Sequence, residues 1–326
     1  MPKRLTSGLK AIREQTFSFR VSHVFCESTE ISQTARYMAL FRALETARRS
    51  DRLVEDTFAI RFLPAAWRAT IRAAGVFRAT RLVERAIDKR GIGAWSSGVA
   101  RTRLIDDWIG EAVAAAGLRQ VVLLGAGFDC RALRLPSLAK IPTFELDRPQ
   151  LLGEKRKRLG ASIEGAHPNL SWVPVDFLRD DLAVRLKASG FINDARTLVL
   201  WEGVTNYLDA GTVAGVFDLV ARICAPGSRM IFTYVHAGVL DGRFHAPGID
   251  ALFARLAASN ERWTFGFWPE ELAEYLRQHG LCLLDDLGAG EYRAKVMGVR
   301  AKGLVGYEFY HVTMAEVCGR GKACLE

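Results

Sequence analysis

The sequence lacks several features that would place it in a class at once. No apolar run reaches the roughly 18 residues that a membrane helix needs, so no membrane partner is expected. Met1 to Arg20 carries charged and hydroxyl residues without an apolar core, and we expect no secretory signal there. Internal repeats and low-complexity tracts are also missing. Of the 326 residues, 49% are hydrophobic and 25% charged, which is typical of a globular protein with a substantial core.

Cysteine is scarce and scattered. The six cysteines form no C-x-x-C pair, and none is spaced with a histidine for zinc, so no metal site is expected. Separated single cysteines in a chain of this length predict reduced, partly buried thiols, for which a cytoplasmic location is the default. They stand at Cys26, Cys130, Cys224, Cys282, Cys318 and Cys324.

Basic residues outnumber acidic ones, and the formal net charge is +9. They cluster in residues 61–90 and in the run 155–158. No aromatic residue interleaves with the second cluster, as a single-strand platform would require, so nucleic acid is not the expected partner. Solvated helix faces are the preferred interpretation. The charge could also steer an acidic small molecule or an acidic carrier protein towards a site.

The pattern of apolar residues divides the chain into a helical part and an alternating part. A boundary near residue 116 gives an N-terminal extension (1–31), a helical segment (32–116) and an α/β core (117–326). Helical spacing predicts helices at 34–48, 65–90, 101–116, 150–159, 182–189, 210–224 and 269–279. Apolar runs predict strands at 120–124, 143–146, 172–175, 197–201, 229–235, 281–287 and 307–315. Strands that alternate with helices indicate a mostly parallel sheet covered on both faces.

The first predicted strand runs into Gly125-Ala126-Gly127. Glycines at this point let the backbone approach a ligand closely. A dinucleotide fingerprint needs a third glycine, but Cys130 stands in its place, which favours a nucleoside ligand without a pyrophosphate. An ordinary tight turn is the alternative.

Three further predicted strands end in acids. Asp147 is placed to accept hydrogen bonds from ribose hydroxyls, with Glu145 as its rival and a solvated acid as the alternative. Asp176 and Phe177 could bracket an adenine ring. Glu202 follows an apolar strand, so it needs a partner, either a ligand ammonium or a nearby arginine.

Taken together, five stretches resemble the leucine carboxyl methyltransferase family of S-adenosylmethionine-dependent enzymes. The resemblance implies an α/β, Rossmann-like seven-stranded methyltransferase sheet with an N-terminal helical lid. It also implies that Arg101 holds the methionine carboxylate and that Glu202 holds the methionine ammonium. Tyr207 would face the acceptor near the transferred methyl. Gly125 and Gly127 would pass beneath the cofactor, Asp147 would bind the ribose, and Asp176 with Phe177 the adenine. The stretches are residues 100–106, 124–131, 144–149, 175–176 and 202–208.

The sequence departs from the family pattern close to the expected ligand. Cys130 stands where threonine is usual, Asn206 where methionine is usual, and Phe177 where leucine is common. Thr34 and Arg36 could reach the cofactor from the lid, although an ordinary helix start explains them as well. These departures leave the expected adenine pocket broadly intact.

The resemblance predicts direct methyl transfer to an oxygen of a small molecule. A carboxylate acceptor is already ionised at neutral pH and needs no base, whereas a hydroxyl does. His236 and His245 are the histidines in plausible reach, and Phe128 and Tyr207 could face the sulfonium. The alternatives are an NAD-linked oxidoreductase and a non-catalytic binding protein. The identity of the acceptor and the oligomeric state stay open.

Overall fold

The computed structural model describes residues 33–177, 179–258 and 261–318. Within them, one seven-stranded sheet has the order β3-β2-β1-β4-β5-β7-β6. Strands β1 to β5 are parallel, and β7 is antiparallel to both neighbours. The predicted mostly parallel α/β sheet is confirmed. The strands are β1 Gln120–Leu124, β2 Thr143–Asp147, β3 Leu170–Pro174, β4 Thr197–Trp201, β5 Arg229–Val235, β6 Leu281–Gly288 and β7 Tyr310–Val317.

Strands β1, β4 and β5 have the predicted bounds, while β3 and β7 do not. β3 begins at Leu170 because that residue pairs with Thr143 at the start of β2. β7 begins only at Tyr310, since Tyr307 has a φ of 63° and interrupts the extended chain before it. Pairing and backbone conformation therefore corrected two strand boundaries that hydrophobicity alone misplaced.

The central strands are buried on both faces. Every residue of β1 and β4 is buried, as expected for parallel strands covered by helices. Val122 and Trp201 pack on one face with Phe217, and Val121 packs on the other with Trp108. The sheet thus forms the buried centre of the fold, and the loops after β1 to β5 lie at its carboxyl edge.

The helices cover both faces of this sheet. Those of the helical segment are α1 Gln33–Thr46, α2 Ala65–Val76, α3 Thr80–Arg90 and α4 Ala94–Ala116. The rest are α5 Arg131–Arg134, α6 Pro149–Leu159, α7 Ser162–Ala166, α8 Leu182–Ala188, α9 Ala210–Ile223, α10 Ile249–Ala258, α11 Pro269–Gln278 and α12 Ala289–Met297.

Two helical predictions were wrong in their bounds. The predicted helix 65–90 is two helices, because Arg78 adopts a φ of 54° between α2 and α3. α4 begins at Ala94, directly after Gly93, rather than at Arg101. Arg101 therefore lies inside a long helix, on its buried face, and not at the start of a helix, which fixes the position of its backbone.

Helices α5, α7, α10 and α12 were not predicted. α12 follows β6 without a loop, and Glu291 in its first turn accepts a hydrogen bond from the Gly288 amide at 2.8 Å. α10 lies in the long connection between β5 and α11. The segment that follows α10 returns to the carboxyl edge of the sheet.

The expectation of reduced cysteines is wrong for one pair. Cys282 and Cys318 form a disulfide with a Cα–Cα distance of 6.0 Å. Their strands are antiparallel neighbours, and Leu281 pairs with Val317, which brings the two thiols together. Cys130 and Cys224 are free and buried, while Cys26 and Cys324 lie outside the described residues.

Among the helices in the described part of the chain, none combines the length and apolar character required to cross a bilayer.

Candidate active site at the carboxyl edge of the sheet

The loop after β1 lies in close contact with the loop after β4. Gly125 and Gly127 have φ angles of 69° and 48°, in the left-handed region that favours glycine. A Cβ at Gly125 would lie 2.5 Å from Cγ2 of Val204, so a side chain does not fit there. Gly125 therefore sets the close approach of the two loops that carry most of the candidate site.

Asp147, at the end of β2, holds this loop from the other side. Its Oδ2 accepts a hydrogen bond from the Gly127 amide at 2.7 Å, and its Oδ1 one from the Arg148 amide at 2.7 Å. Burial raises the pKa of this carboxyl, and the two amide hydrogen bonds oppose that rise. Asp147 is thus a buried acceptor beside the glycine loop, where the sequence placed the ribose acid.

Glu145 is not a rival for that role. Its Oε2 lies 2.5 Å from Nζ of Lys155, and both side chains are fully buried. Burial raises the pKa of Glu145 to about 7, and Lys155 opposes this shift. The interpretation of the 155–158 run as a solvated face is therefore wrong for Lys155, whose ammonium also lies 5.4 Å from the Trp172 ring.

Glu202 and Arg101 contact each other at the end of β4. Nε of Arg101 donates to Oε1 of Glu202 at 2.8 Å. The guanidinium of Arg101 also lies over the Tyr310 ring, 4.6 Å from its centroid. The structure therefore joins the two residues that the family resemblance assigned to the two charges of a methionine group.

Arg131, from α5, is a second partner of Glu202. Its Nη1 lies 2.7 Å from Oε2 of Glu202 and also donates to Asp129, while its Nε lies 2.7 Å from Oδ1 of Asp106. Burial raises the pKa of Asp129, but Arg131 and Arg42 lower it more strongly, to about 2. Three carboxylates thus surround one buried guanidinium, which orients Glu202 and keeps it ionised.

Further ion pairs extend this network towards the helical segment. Arg134 lies 2.8 Å from Asp106 and 3.9 Å from Asp56. Arg42 of α1 donates to Asp56 at 2.8 Å and to the Phe128 carbonyl at 2.6 Å. The network therefore links α1 and α4 to the loop after β1.

Helix α1 lies over the carboxyl edge of the sheet. A Cβ at Gly127 would meet Ala35 at 3.7 Å, and Sδ of Met38 lies 3.2 Å from Nη2 of Arg101. Thr34 reaches the loop after β4 through its hydroxyl. The position of α1 is consistent with the expected helical lid.

Asp176 and Phe177 follow β3 and lie apart from the ionic network. The side chain of Asp176 is 42% exposed, and its Oδ2 lies 3.7 Å from Nε of Arg179. Phe177 is half-buried against the core. They offer a carboxylate and an apolar surface next to Asp147, whose carbonyl accepts a hydrogen bond from the Val175 amide. Their adenine role stays a prediction.

Tyr207 lies in a small polar cluster with Thr34 and Glu261. Its hydroxyl donates to Oε2 of Glu261 at 3.2 Å and lies 3.2 Å from Oγ1 of Thr34. Thr34 also donates to Oε2 of Glu261, at 3.0 Å. Burial and the nearby Glu261 raise the pKa of Tyr207, so its hydroxyl stays protonated at neutral pH. We call this the acceptor-side cluster.

Other residues considered from sequence lie elsewhere. Phe128 is buried and stacks on Phe62 at 4.4 Å, so its ring belongs to the core and does not face a sulfonium. His245 is exposed, and Nδ1 of His236 accepts a hydrogen bond from the Gly238 amide at 3.0 Å. Arg36 is half-buried on α1. Neither histidine belongs to the acceptor-side cluster.

Sequence reasoning missed several residues of the site. Asp106, Asp129 and Arg131 stand inside the quoted family stretches, so their presence was visible although their roles were not. Glu261 gave no such signal, because it is separated from Tyr207 by 54 positions and from Thr34 by 227. Only the folded chain brings it to the carboxyl edge.

Comparison with known proteins found a matching family model and related proteins that are named as methyltransferases. The family model described as leucine carboxyl methyltransferase matches residues 35–221. A Streptomyces coelicolor protein with the provisional name S-adenosyl-L-methionine-dependent methyltransferase is 36% identical over 62% of this chain and 65% of its own length. A Mycobacterium tuberculosis protein with the same provisional name is 31% identical over 78% of this chain and 86% of its own.

Solved structures support the fold alone, since their sequence identities are low. A protein from Thermobifida fusca, provisionally described as a methyltransferase, superposes with a TM-score of 0.53 at 14% identity. The match covers 90% of this chain and all of that one. A DUF574 family protein from Streptomyces avermitilis gives a TM-score of 0.51 at 14% identity, over 85% of this chain and 96% of that one.

Proposed function

This chain belongs to the leucine carboxyl methyltransferase family of S-adenosylmethionine-dependent enzymes, and from that premise we propose that it is an O-methyltransferase. It transfers a methyl group directly to a carboxylate or hydroxyl oxygen of a small molecule or a carrier-bound acidic substrate. The observation that carries the proposal is the buried pair of Arg101 and Glu202 beside the glycine loop.

The charges of this pair match the methionine end of S-adenosylmethionine. That end is a zwitterion, so its carboxylate complements the guanidinium of Arg101 and its ammonium complements the carboxylate of Glu202. Arg131 still holds Glu202 when Arg101 turns to the ligand, because it contacts the other carboxylate oxygen. Exchanging one ion pair for two leaves no buried charge without a partner.

The remaining residues fit the nucleoside. Asp147 is a buried acceptor for the ribose hydroxyls, next to the backbone of Gly125 and Gly127. Asp176 would accept from the adenine amine, and Phe177 would lie against the ring. When bound, S-adenosylmethionine supplies a methyl group activated by its sulfonium.

The chain's own contribution to the reaction is mainly orientation. Positioning two reactants can lower a barrier by roughly 7–11 kcal/mol in favourable systems. Helix α1 covers the site through Ala35 and Met38 and would exclude water. Tyr207 would bind the acceptor near the transferred methyl, since its neutral hydroxyl can donate a hydrogen bond to an oxygen.

The partners follow from charge and composition. The net charge of +9 favours an acidic substrate or carrier, and no nucleic acid or membrane is needed. A cytoplasmic location is part of the proposal and rests on the buried free thiols of Cys130 and Cys224, while the Cys282–Cys318 bond argues the other way. Cell fractionation tests it.

Calorimetric titration with S-adenosylmethionine and with NAD tests the proposal, followed by incubation with methyl-labelled cofactor and a cell extract. We expect binding of S-adenosylmethionine, no binding of NAD, and label in a small or carrier-bound product. Binding of NAD alone, or S-adenosylmethionine binding with no labelled product from any extract fraction, would contradict it.

A further inference from the structure

The acceptor-side cluster contains the carboxylate of Glu261, which has no role in the proposed methyl transfer as described so far. Three distant segments build the cluster: Thr34 from α1, Tyr207 from the loop after β4, and Glu261 from the segment after α10. Tyr207 stands five residues beyond Glu202 on the same loop. Glu261 therefore lies in direct contact with Tyr207, the residue expected on the acceptor side of the site.

The bonding of Glu261 differs from that of the other site carboxylates. Glu202, Asp129, Asp106 and Asp56 each lie against at least one arginine. The hydrogen bonds to the Glu261 carboxylate come from the neutral hydroxyls of Tyr207 and Thr34, and both fall on Oε2. Within the described residues, no side chain donates to Oε1, so this oxygen retains its capacity to accept a hydrogen bond.

A hydroxyl acceptor needs a general base, and the candidates are Tyr207, His236, His245 and Glu261. Tyr207 stays protonated because burial and Glu261 raise its pKa, so it donates a hydrogen bond and does not act as a base. His236 uses Nδ1 to accept from the Gly238 amide, and His245 is exposed. Glu261 is the carboxylate that contacts Tyr207 directly.

Tyr310 and Thr233 lie at the cofactor end of the site. The Tyr310 ring lies 4.6 Å from the Arg101 guanidinium, and its hydroxyl lies 3.2 Å from Oγ1 of Thr233. Thr233 in turn accepts a hydrogen bond from the Gly203 amide, next to Glu202. The loop after β4 carries both Glu202 and Tyr207, so it joins the Arg101–Glu202 pair to the acceptor-side cluster.

We propose that Glu261 binds the acceptor and removes its proton, and that the acceptor is consequently an alcohol or phenol hydroxyl and not a carboxylate. The inference rests on the proposed methyl transfer and names its substrate class. Glu261 accepts the hydroxyl proton as the acceptor oxygen forms its bond to the methyl carbon. The carbon–sulfur bond breaks, its electron pair stays on sulfur, and the products are a methyl ether, S-adenosylhomocysteine and a protonated Glu261.

The same geometry disfavours a carboxylate acceptor. An ionised acceptor would lie against an ionised Glu261 with no described arginine, lysine or histidine within salt-bridge distance of that carboxylate. Like charges at such a distance repel each other, most strongly where water is excluded. A hydroxyl donates a hydrogen bond to the same oxygen and needs the base that the site provides.

The stability of the methylated product to alkali tests the substrate class without requiring the acceptor's identity. Wild-type protein is incubated with methyl-tritiated S-adenosylmethionine and a small-molecule extract, and the products are treated with mild alkali. Methyl ethers survive, whereas methyl esters release volatile labelled methanol. We expect label that survives alkali and is released by hot hydroiodic acid, which cleaves ethers and leaves N-methyl and C-methyl groups in place.

Glu261→Gln tests the residue. The amide oxygen still accepts from Tyr207 and Thr34 but does not take up a proton. We expect kcat for the extract product to fall at least 100-fold, consistent with loss of a general base, while the Kd for S-adenosylmethionine changes less than twofold. Glu316→Gln is the matched control, because Glu316 pairs with Arg229 at the opposite edge of the sheet. It should retain wild-type kcat.

Three outcomes would overturn the inference. Label released as methanol by alkali would assign a carboxylate acceptor while leaving the proposed O-methylation intact. A kcat within threefold of wild type in Glu261→Gln would show that Glu261 is not the general base. Bound S-adenosylmethionine with no label transferred at all would defeat the proposed function itself, and the substrate class with it. The alkali test uses wild-type protein, so it stands even if the variant fails to fold.

Discussion

At the cofactor end of the site, the buried carboxylates of Glu202 and Asp129 lie against arginines, whereas at the acceptor end Glu261 lies against two neutral hydroxyls. The first arrangement compensates every charge before a ligand arrives. The second leaves one carboxylate oxygen available. Both ends are built partly on the loop after β4, and we expect the protein's stability to depend on them to different degrees.

The difference follows from what each end must do. A buried ion network is costly to break, because removal of one partner leaves a charge without compensation. Such a network suits a cofactor whose charges are the same in every reaction cycle. A neutral cluster with one carboxylate tolerates change more easily and suits the choice of an acceptor. Stability and cofactor binding should therefore depend on one end, and turnover on the other.

Arg131→Met should give the largest effect on stability. Arg131 contacts three carboxylates, and its loss leaves Asp129 without a direct arginine partner and leaves Glu202 and Asp106 with one arginine each. We expect the free energy of unfolding to fall by about 3–5 kcal/mol in a denaturant titration. Arg103→Met is the matched control, since Arg103 pairs with Asp107 on an exposed helix face and should cost less than about 1 kcal/mol. Equal losses in the two variants would mean that the buried network contributes no more to the free energy of unfolding than an exposed ion pair does.

Asp147→Ala should abolish measurable cofactor binding while the chain still folds. The substitution removes the acceptor for the ribose hydroxyls and for the Gly127 amide. Hydrogen bonds to a charged group are worth about 1.5–3 kcal/mol each, so affinity should fall more than about 100-fold. Calorimetry measures the affinity, and circular dichroism checks the fold. Unchanged affinity would show that the ribose is bound elsewhere.

The pH dependence of stability should reveal the charged end directly. The pKa of Asp129 is held near 2, below its usual value of 3.8, so its contribution is complete above pH 4. As pH falls from 4 to 2, Asp129 takes up a proton and that contribution is lost. Asp129→Asn should therefore remove about 2 kcal/mol of the acid-dependent loss between these pH values. Identical acid transitions in the variant and the wild type would contradict this assignment.

The cofactor end was predictable from sequence because its residues stand at strand ends. Buried runs locate β1, β2 and β4, and the residues that follow each run meet at one edge of a parallel sheet. Gly125, Asp147 and Glu202 could thus be brought together without coordinates. What sequence could not show was that Arg101 and Arg131 both contact Glu202, because side-chain pairing depends on the packing of α4 and α5.

The acceptor end was largely unpredictable for the opposite reason. Tyr207 was found through the family resemblance, but Glu261 follows α10, a helix whose pattern was not recognised. Its approach to Thr34 depends on the path of the chain over 227 positions. The disulfide between Cys282 and Cys318 was missed in the same way, because it depends on the register of β6 and β7. Local periodicity carries no information about such contacts.

Arg101→Ala should weaken cofactor binding more than tenfold, which is about 1.4 kcal/mol or more. The variant removes the guanidinium expected to hold the methionine carboxylate. The fold should survive, because Arg131 still compensates Glu202 from the other oxygen. Calorimetric titration measures the effect, and Arg101→Lys should recover part of the affinity through its point charge. A loss below tenfold in the alanine variant would argue against the carboxylate contact.

Tyr207→Phe should give the smallest effect and separate the two ends most cleanly. The variant keeps the ring but loses the hydroxyl that contacts Glu261 and Thr34, which should cost about 1 kcal/mol of stability. Its affinity for S-adenosylmethionine should stay within twofold of wild type, because the ionic network of Arg101, Glu202 and Arg131 is untouched. Turnover should fall, since Glu261 loses one of the two hydroxyls that orient its carboxylate. If calorimetry instead showed a tenfold loss of cofactor affinity, the hydroxyl would belong to the cofactor end, and the division between a charge-compensated anchor and a neutral acceptor side would be wrong.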